Sequence, residues 1–177
     1  MVISSEICDK LRDIKIIILD VDGVMTDGSI WLGAHEELKR FHVRDGAGIK
    51  YLLRSGINVA FITGRTSEAV ARRARELGIS ECLQGCHQKL PVFQELLQRL
   101  AIPPSKAACM GDDLMDIPLM RHCGVAIAPA DAVPEARNQA HIVTTAGGGH
   151  GAVREAAEII LKARGDWDGI VERYFEA

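Results

Sequence analysis

The 177-residue sequence predicts an α/β fold, a doubly wound parallel sheet from which one β-hairpin protrudes. Three observations carry that expectation. Short aliphatic runs alternate with stretches of helical periodicity along almost the whole chain, the pattern of strands buried on both faces between covering helices. Several of the runs stop at Asp, Thr or Gly, residues suited to loops at a sheet edge. A single stretch, residues 28–43, breaks the rhythm with a turn between two short apolar runs.

The first strand is expected over Ile14 to Leu19, where only Lys15 is polar. The hairpin follows at about 28–43: Ile30-Trp31-Leu32, a turn around Gly33-Ala34-His35-Glu36, then Leu38 to Val43 with Phe41 and Val43 alternating against polar neighbours. A lone hairpin exposing Trp31, Leu32 and Phe41 is poorly stable in water, so it is expected to pack against something, such as another subunit. Next come a helix over Ala47 to Arg54, a strand over Ile57 to Ile62, and a helix over Ser67 to Leu77 with Val70, Ala74 and Leu77 on one side. A brief strand at Cys82-Leu83 precedes a helix over Leu90 to Leu100, in which Val92, Phe93, Leu96, Leu97 and Leu100 keep helical spacing. Strands at Ala107 to Met110, Val125 to Ala128 and His141 to Val143, with helices near Leu114 to His122 and Val153 to Arg164, complete the alternation.

Composition narrows the function. Residues 1–177 fit one domain with a sizeable core, and 47% apolar with 25% charged residues is ordinary for a globular chain. A net charge of −3 without any block of like charge argues against nucleic acid and anionic membrane as partners, which leaves small molecules. No basic leader runs into an apolar stretch, and nowhere do about 18 uncharged apolar residues stand together, so a cytoplasmic protein is expected. Cys8, Cys82, Cys86, Cys109 and Cys123 are an odd number without zinc-finger spacing, and read as reduced thiols. Cys82, Cys86 and His87 lack a fourth ligand at a usual zinc spacing.

The strand ends carry the chemistry. Ile16 to Leu19 runs into Asp20-Val21-Asp22-Gly23, and ligands of open parallel sheets bind beyond the carboxyl ends of the strands. Two carboxylates two residues apart repel unless a cation lies between them, and oxygen ligands without histidine or thiolate suit magnesium. Turn chemistry alone is the plainer reading of Asp-Val-Asp-Gly. A second cluster, Gly111-Asp112-Asp113-Leu114-Met115-Asp116, follows another apolar strand and favours the metal, although Asp113 could simply cap a helix and Asp116 lie in solvent. Thr63, Gly64 and Arg65 supply a hydroxyl, close backbone approach and a planar fork for a phosphoryl group, with Lys89 a further cation unless it is merely solvated.

Taken in order, Leu19-Asp20-Val21-Asp22-Gly23-Val24 with Thr26, then Thr63-Gly64-Arg65, then Lys89, then Gly111-Asp112-Asp113 with Asp116 resembles the four motifs of the haloacid dehalogenase superfamily of phosphatases. The resemblance implies a Rossmann-like fold in which Asp20 is the nucleophile and Asp22 the general acid and then base. It assigns magnesium to the Asp20 carboxylate, the Asp22 backbone carbonyl and Asp112, with Asp113 or Asp116 orienting bound waters, and gives the phosphoryl group to Thr63 and Lys89. The intervals between motifs leave no room for a cap domain.

Within that superfamily, Phe41-His42-Val43-Arg44-Asp45-Gly46 and Ala146-Gly147-Gly148-Gly149-His150-Gly151-Ala152-Val153-Arg154-Glu155 look like the capless tetrameric phosphatases of 3-deoxy-D-manno-octulosonate 8-phosphate, from about Ile14 to about Gly165. This likeness implies a role in lipopolysaccharide precursor biosynthesis and a homotetramer whose hairpins form a central barrel. It also implies a Gly-rich segment, 147–151, able to reach a neighbour's site, and substrate contacts at Asp22, His42, Val43, Arg44, Asp45, Gly46, Gly64, Arg65, Arg73 and Lys89. Against these stand a flexible linker for 147–151, a solvated Arg73, the same chemistry on a nonulosonate 9-phosphate, and a non-catalytic regulatory module on the same fold. Loss of Asp20, Asp22, Lys89 or Asp112 would mark such a module, and none is lost. The segment after Gly165 follows no pattern of the family.

Overall fold

A computed structural model describes residues 3–34 and 37–175. In chain order it contains α1 (Ser5–Arg12), β1 (Ile16–Leu19), β2 (Trp31–Leu32), β3 (Glu37–Leu38), α2 (Val43–Arg54), β4 (Asn58–Ile62), α3 (Glu68–Leu77), β5 (Glu81–Leu83), α4 (Lys89–Arg99), β6 (Ala107–Met110), α5 (Ile117–Met120), β7 (Val125–Ala128), α6 (Pro134–Gln139), β8 (Ile142–Val143), α7 (Ala152–Arg164) and α8 (Trp167–Glu172). Six strands form a parallel sheet of order β5-β4-β1-β6-β7-β8.

The aliphatic run Ile16-Ile17-Ile18-Leu19 makes β1 the centre because neither face is polar. Ile17 and Leu19 enter a core shared with Leu11, Ile49, Leu52, Val70 and the α7 face, while Ile16 and Ile18 pack against Phe93, Leu96, Leu97 and Leu119. Each such side chain, fully buried, contributes about 1.5–3 kcal/mol of transfer free energy. From β1 the chain winds first to β4 and β5 on one side, then to β6, β7 and β8 on the other. The reversal falls between β1 and β6, which register Leu19 against Met110, and a crevice opens at that point in doubly wound sheets.

Some elements depart from the sequence expectation. The second hairpin strand ends at Leu38, and α2 begins at Val43 rather than Ala47, so Leu38 to Val43 is not one strand. Gly46 and Gly48 lie in the first turns of α2, and their poor helix propensity hides its start. Phe41 is therefore not a hairpin residue: it is half-buried against the core with the Arg73 guanidinium 5.7 Å from its ring centre. The paired residues of the hairpin are Trp31 with Leu38 and Leu32 with Glu37, and the expected turn includes His35 and Glu36, outside the described residues. In place of one helix over Leu114 to His122, a 3-10 turn at Leu114–Asp116 leads into the single turn of α5. Helices α1 and α6 bury only Leu11 and Ala136 respectively, too little apolar periodicity to read from sequence.

Nothing larger than the hairpin stands between β1 and α2, and only α3 and β5 lie between β4 and α4, so no cap domain covers the sheet edge among the described residues. No described helix is long and apolar enough to cross a membrane.

Candidate active site

The loop after β1 is cinched by its own backbone. The N–H groups of Val24, Met25 and Thr26 all donate to the Val21 carbonyl, at 3.3, 2.9 and 3.1 Å. Thr26, 1% exposed, accepts from Gly23 N at 3.4 Å and Gly28 N at 3.3 Å. The Gly-rich segment braces this loop from outside, Gly149 N donating to Val24 O at 3.0 Å, and is itself held by Gly148 N donating to Asp131 Oδ1 at 2.9 Å in the loop after β7. A Cβ on Gly148 would lie 1.8 Å from Gly23 O, so only glycine permits that approach. Residues 147–151 are thus neither a free linker nor, in this chain, extended away from it.

Across the switch point the Asp20 N–H donates to Met110 O at 3.0 Å, which draws the ends of β1 and β6 together. Carboxylate oxygens of Asp20, Asp112 and Asp116 converge within 4.8 Å of one another. Lys89, the first residue of α4 and 4% exposed, stands among them with Nζ 2.8 Å from Asp20 Oδ1 and 2.6 Å from Asp116 Oδ1. Asp116 Oδ2 accepts from the N–H groups of Asp112 and Asp113 at 3.0 and 3.2 Å, so both its oxygens are engaged within the protein. Asp113 does not join the cluster: it is exposed and caps the 3-10 turn, accepting from Leu114 N at 2.7 Å.

Burial, then the charge of Asp116, pushes Asp20 up to about 6 against the pull of Lys89. Burial, then Asp20 and Asp116, pushes Asp112 up to about 8. Burial acts to lower Lys89, but the paired Asp20 and Asp116 outweigh it and raise its pKa. Asp112 Oδ1 is buried without a hydrogen-bond partner, Asp20 Oδ1 has only the Lys89 ammonium beside it, and a Cβ at Gly23 would strike Asp112 Oδ2 at 2.0 Å. Three converging acids for one lysine, with an orphaned Asp112 oxygen of hard-ligand type, fit a divalent cation such as magnesium.

The protons on the raised Asp20 and Asp112 carboxyls must leave before both can ligate, so magnesium binding should strengthen as pH rises through the window from about 6 to about 8. The metal-free fold moves oppositely, since groups with raised pKa stabilise it at low pH and lose that contribution as pH rises past these values. Magnesium should therefore raise Tm several degrees more at pH 8.5 than at pH 5.5. Equal gains at the two pH values in a melting experiment would count against this donor set.

Thr63, buried at the end of β4, is fixed by its N–H to Leu83 O at 3.0 Å and by its carbonyl, which accepts from Cys86 N at 2.9 Å. A Cβ on Gly64 would come within 3.2 Å of the Met115 methyl carbon. On the hairpin side Asp22 is paired with Lys39 through Oδ1, and Arg65 Nε lies 3.8 Å from its Oδ2. Arg65 Nη2 also meets Glu37 Oε2 at 2.5 Å, and Glu37 is lowered to about 2 by its hydrogen bond to Lys39, opposed by burial and aided by Arg65. Glu37 and Lys39 were not among the expected site residues. The signal for them is the triplet Glu37-Leu38-Lys39, whose period of two puts both charges on one strand face.

The expected substrate loop is placed elsewhere. Asp45 is fully buried, with its carboxylate accepting from Gly151 N at 3.3 Å and Arg154 N at 2.8 Å, so it caps α7 instead of facing a ligand. Gly46 lies beneath Arg73, whose Nη2 would be 2.3 Å from a Cβ there. Val43 and Arg44 are exposed on the first turn of α2, and His42 precedes them as its N-cap. Arg73 pairs with Glu76 at 2.9 Å. Among the described residues, no hydrogen bond or ion pair joins 42–46 or Arg73 to Asp20, Asp22, Lys89 or Asp112, because the early start of α2 turns this segment toward α3 and α7. A groove of about 750 Å³ between hairpin and α3 is lined by Glu37, Lys39, Phe41 and Arg73.

A six-stranded parallel sheet with this acid and lysine cluster at its switch point defines a haloacid dehalogenase-like hydrolase, and a family model of that description matches residues 85–156. The chain is 47% identical over 167 residues to the 3-deoxy-D-manno-octulosonate 8-phosphate phosphatase of Escherichia coli K12, covering 94% of this chain and 89% of that protein. The crystal structure of the Yersinia pestis phosphatase of the same name superposes with a TM-score of 0.92 at 45% identity, covering 94% of this chain and 91% of that one. That of the Moraxella catarrhalis phosphatase, in complex with a magnesium ion, a phosphate ion and a KDO molecule, gives 0.93 at 42% identity, covering 96% and 98%. This chain belongs to the family of 3-deoxy-D-manno-octulosonate 8-phosphate phosphatases.

Proposed function

We propose that this chain releases phosphate from 3-deoxy-D-manno-octulosonate 8-phosphate in a magnesium-dependent reaction through an aspartyl-phosphate, in the cytoplasm, as a step of lipopolysaccharide precursor biosynthesis. The observation that carries it is the convergence of Asp20, Asp112, Asp116 and Lys89 at the switch point, in a chain 47% identical to such phosphatases. Residues 1–177 act as one domain in this reading.

An oxygen of Asp20 attacks phosphorus while the ester P–O bond breaks, and Asp22 gives its proton to the departing sugar oxygen. Asp22 then takes a proton from water, which attacks the same phosphorus and frees Asp20 and inorganic phosphate. Lys89 and Thr63 hold the non-bridging oxygens, and Asp116 steadies Lys89 together with the loop carrying Asp112. Bound by the Asp20 and Asp112 carboxylates and the Asp22 backbone carbonyl, magnesium would neutralise phosphoryl charge. Phosphoryl transfer asks little more of a protein than this positioning and neutralisation. Arg65, beside Asp22 and Glu37, is our first choice for the sugar carboxylate, with Arg44 and Arg73 the next. Phosphate release should require magnesium and favour the octulosonate 8-phosphate over a nonulosonate 9-phosphate. Equal release after exhaustive chelation, or preference for the nine-carbon sugar, refutes the reading at the metal or at the substrate respectively.

The assembly in this proposal is a homotetramer. Trp31, Leu32 and Leu38 are 61, 79 and 52% exposed on a two-stranded hairpin that cannot bury them itself, and closed symmetry would. Trp31→Asp with Leu32→Asp should dissociate the particle in light scattering and raise KM for the sugar phosphate about tenfold or more. A double variant still tetrameric would defeat this mode of assembly.

A further inference from the structure

The hairpin carries a charge that its own stability does not call for. In β3, Leu38 faces solvent while Glu37 and the following Lys39 turn the other way, toward the loop after β1. The Lys39 side chain is only 1% exposed; its Nζ touches Asp22 Oδ1 and lies 2.9 Å from Glu37 Oε1. Arg65 closes the group from β4, reaching Glu37 Oε2 at 2.5 Å and standing 3.8 Å from Asp22 Oδ2. Burying an ammonium is costly unless it is paired, and an apolar side chain would pack such a spot at lower cost. The arrangement instead commits one oxygen of Asp22 to a hydrogen bond and leaves the other without one, with the Arg65 guanidinium 3.8 Å away.

We infer that Lys39 is a positioning residue for proton transfer: its ammonium holds Asp22 Oδ1, so that Oδ2 faces the departing sugar oxygen. The inference rests on the acid and base role proposed for Asp22. Glu37 holds Lys39 from behind and Arg65 from the side, so the three charges form a brace around the carboxyl. The brace also ties the hairpin, the element proposed to assemble the subunits, to the chemical step.

Leaving-group dependence tests this, because an alkoxide needs a proton as it departs and p-nitrophenolate does not. The measurement is single-turnover release of the leaving group by the intact, magnesium-loaded enzyme, from octulosonate 8-phosphate and from p-nitrophenyl phosphate. Asp22→Asn should slow the sugar phosphate by about 10²–10⁴-fold and the aryl phosphate far less. Lys39→Met should reproduce that split at about 10- to 100-fold against less than about threefold, and Lys39→Arg should recover part of it. Should Lys39→Met not fold, Lys39→Gln keeps a polar donor, one bond shorter and uncharged, and the same split is expected at reduced size. Equal slowing of both substrates, or none, in a Lys39 variant while Asp22→Asn shows the split would overturn the inference alone. Absence of the split in Asp22→Asn would remove the Asp22 assignment and the inference together.

Discussion

Asp20→Asn should lower turnover by at least about four orders of magnitude while leaving the fold intact, since a covalent route loses both its nucleophile and a metal oxygen. The shape is preserved: the amide has the size of the carboxyl, and the Asp20 backbone N–H to Met110 O is untouched by the change. The electrostatics point the same way. Asp20 is one of the charges that pushes Asp112 up to about 8, so a neutral residue at position 20 relieves repulsion and lets Asp112 ionise at lower pH. The variant without metal should melt no lower than the parent at pH 8, and magnesium should raise its Tm less. Phosphate release above a few per cent of the parental rate, with contamination excluded, would contradict the aspartyl-phosphate route.

The cluster at the carboxyl edge of the sheet could be read from sequence because its residues stand where strands end. Asp20, Thr63 and Asp112 each follow a short aliphatic run, and the order of these motifs carries the family resemblance. Residue type alone could not decide between uses of the same group. Asp45, Asp113 and Asp116 are all aspartates near predicted loops, yet Asp45 caps α7, Asp113 caps a 3-10 turn, and Asp116 pairs with a buried lysine. Glu37 and Lys39 look like solvated charges on a hairpin until the hairpin is seen to fold back over Asp22. The Gly-rich segment is ambiguous for a similar reason. Its glycines permit flexibility, but the contact that uses them is with a loop more than a hundred residues earlier, and no local pattern records that. Tertiary distance, not composition, separates these roles.

Lys89→Met should lower kcat by about three orders of magnitude, because the lysine supplies fixed, buried positive charge where the transferring phosphoryl group gathers negative charge. The same change should destabilise the metal-free protein in a way that reports pH. Lys89 is 4% exposed between Asp20 and Asp116, and removing one partner of a buried ionic group costs about 3–5 kcal/mol because the remaining charges are left uncompensated. Its folded pKa is raised, so its stabilisation is present throughout the neutral range while its partners are ionised. As pH falls through about 6, Asp20 becomes neutral in the parent, and without Lys89 it would do so at higher pH still. The Tm deficit of Lys89→Met should thus be large at pH 8, shrink toward pH 5, and be partly offset at pH 8 by magnesium, which restores positive charge to the cluster. Lys89→Arg should not rescue activity, since a planar guanidinium differs in shape and reach from the compact ammonium held between two carboxylates. Retention of more than about a tenth of kcat by Lys89→Met, or a Tm deficit independent of pH, would place this lysine outside the phosphoryl site and leave its burial to be explained by packing alone.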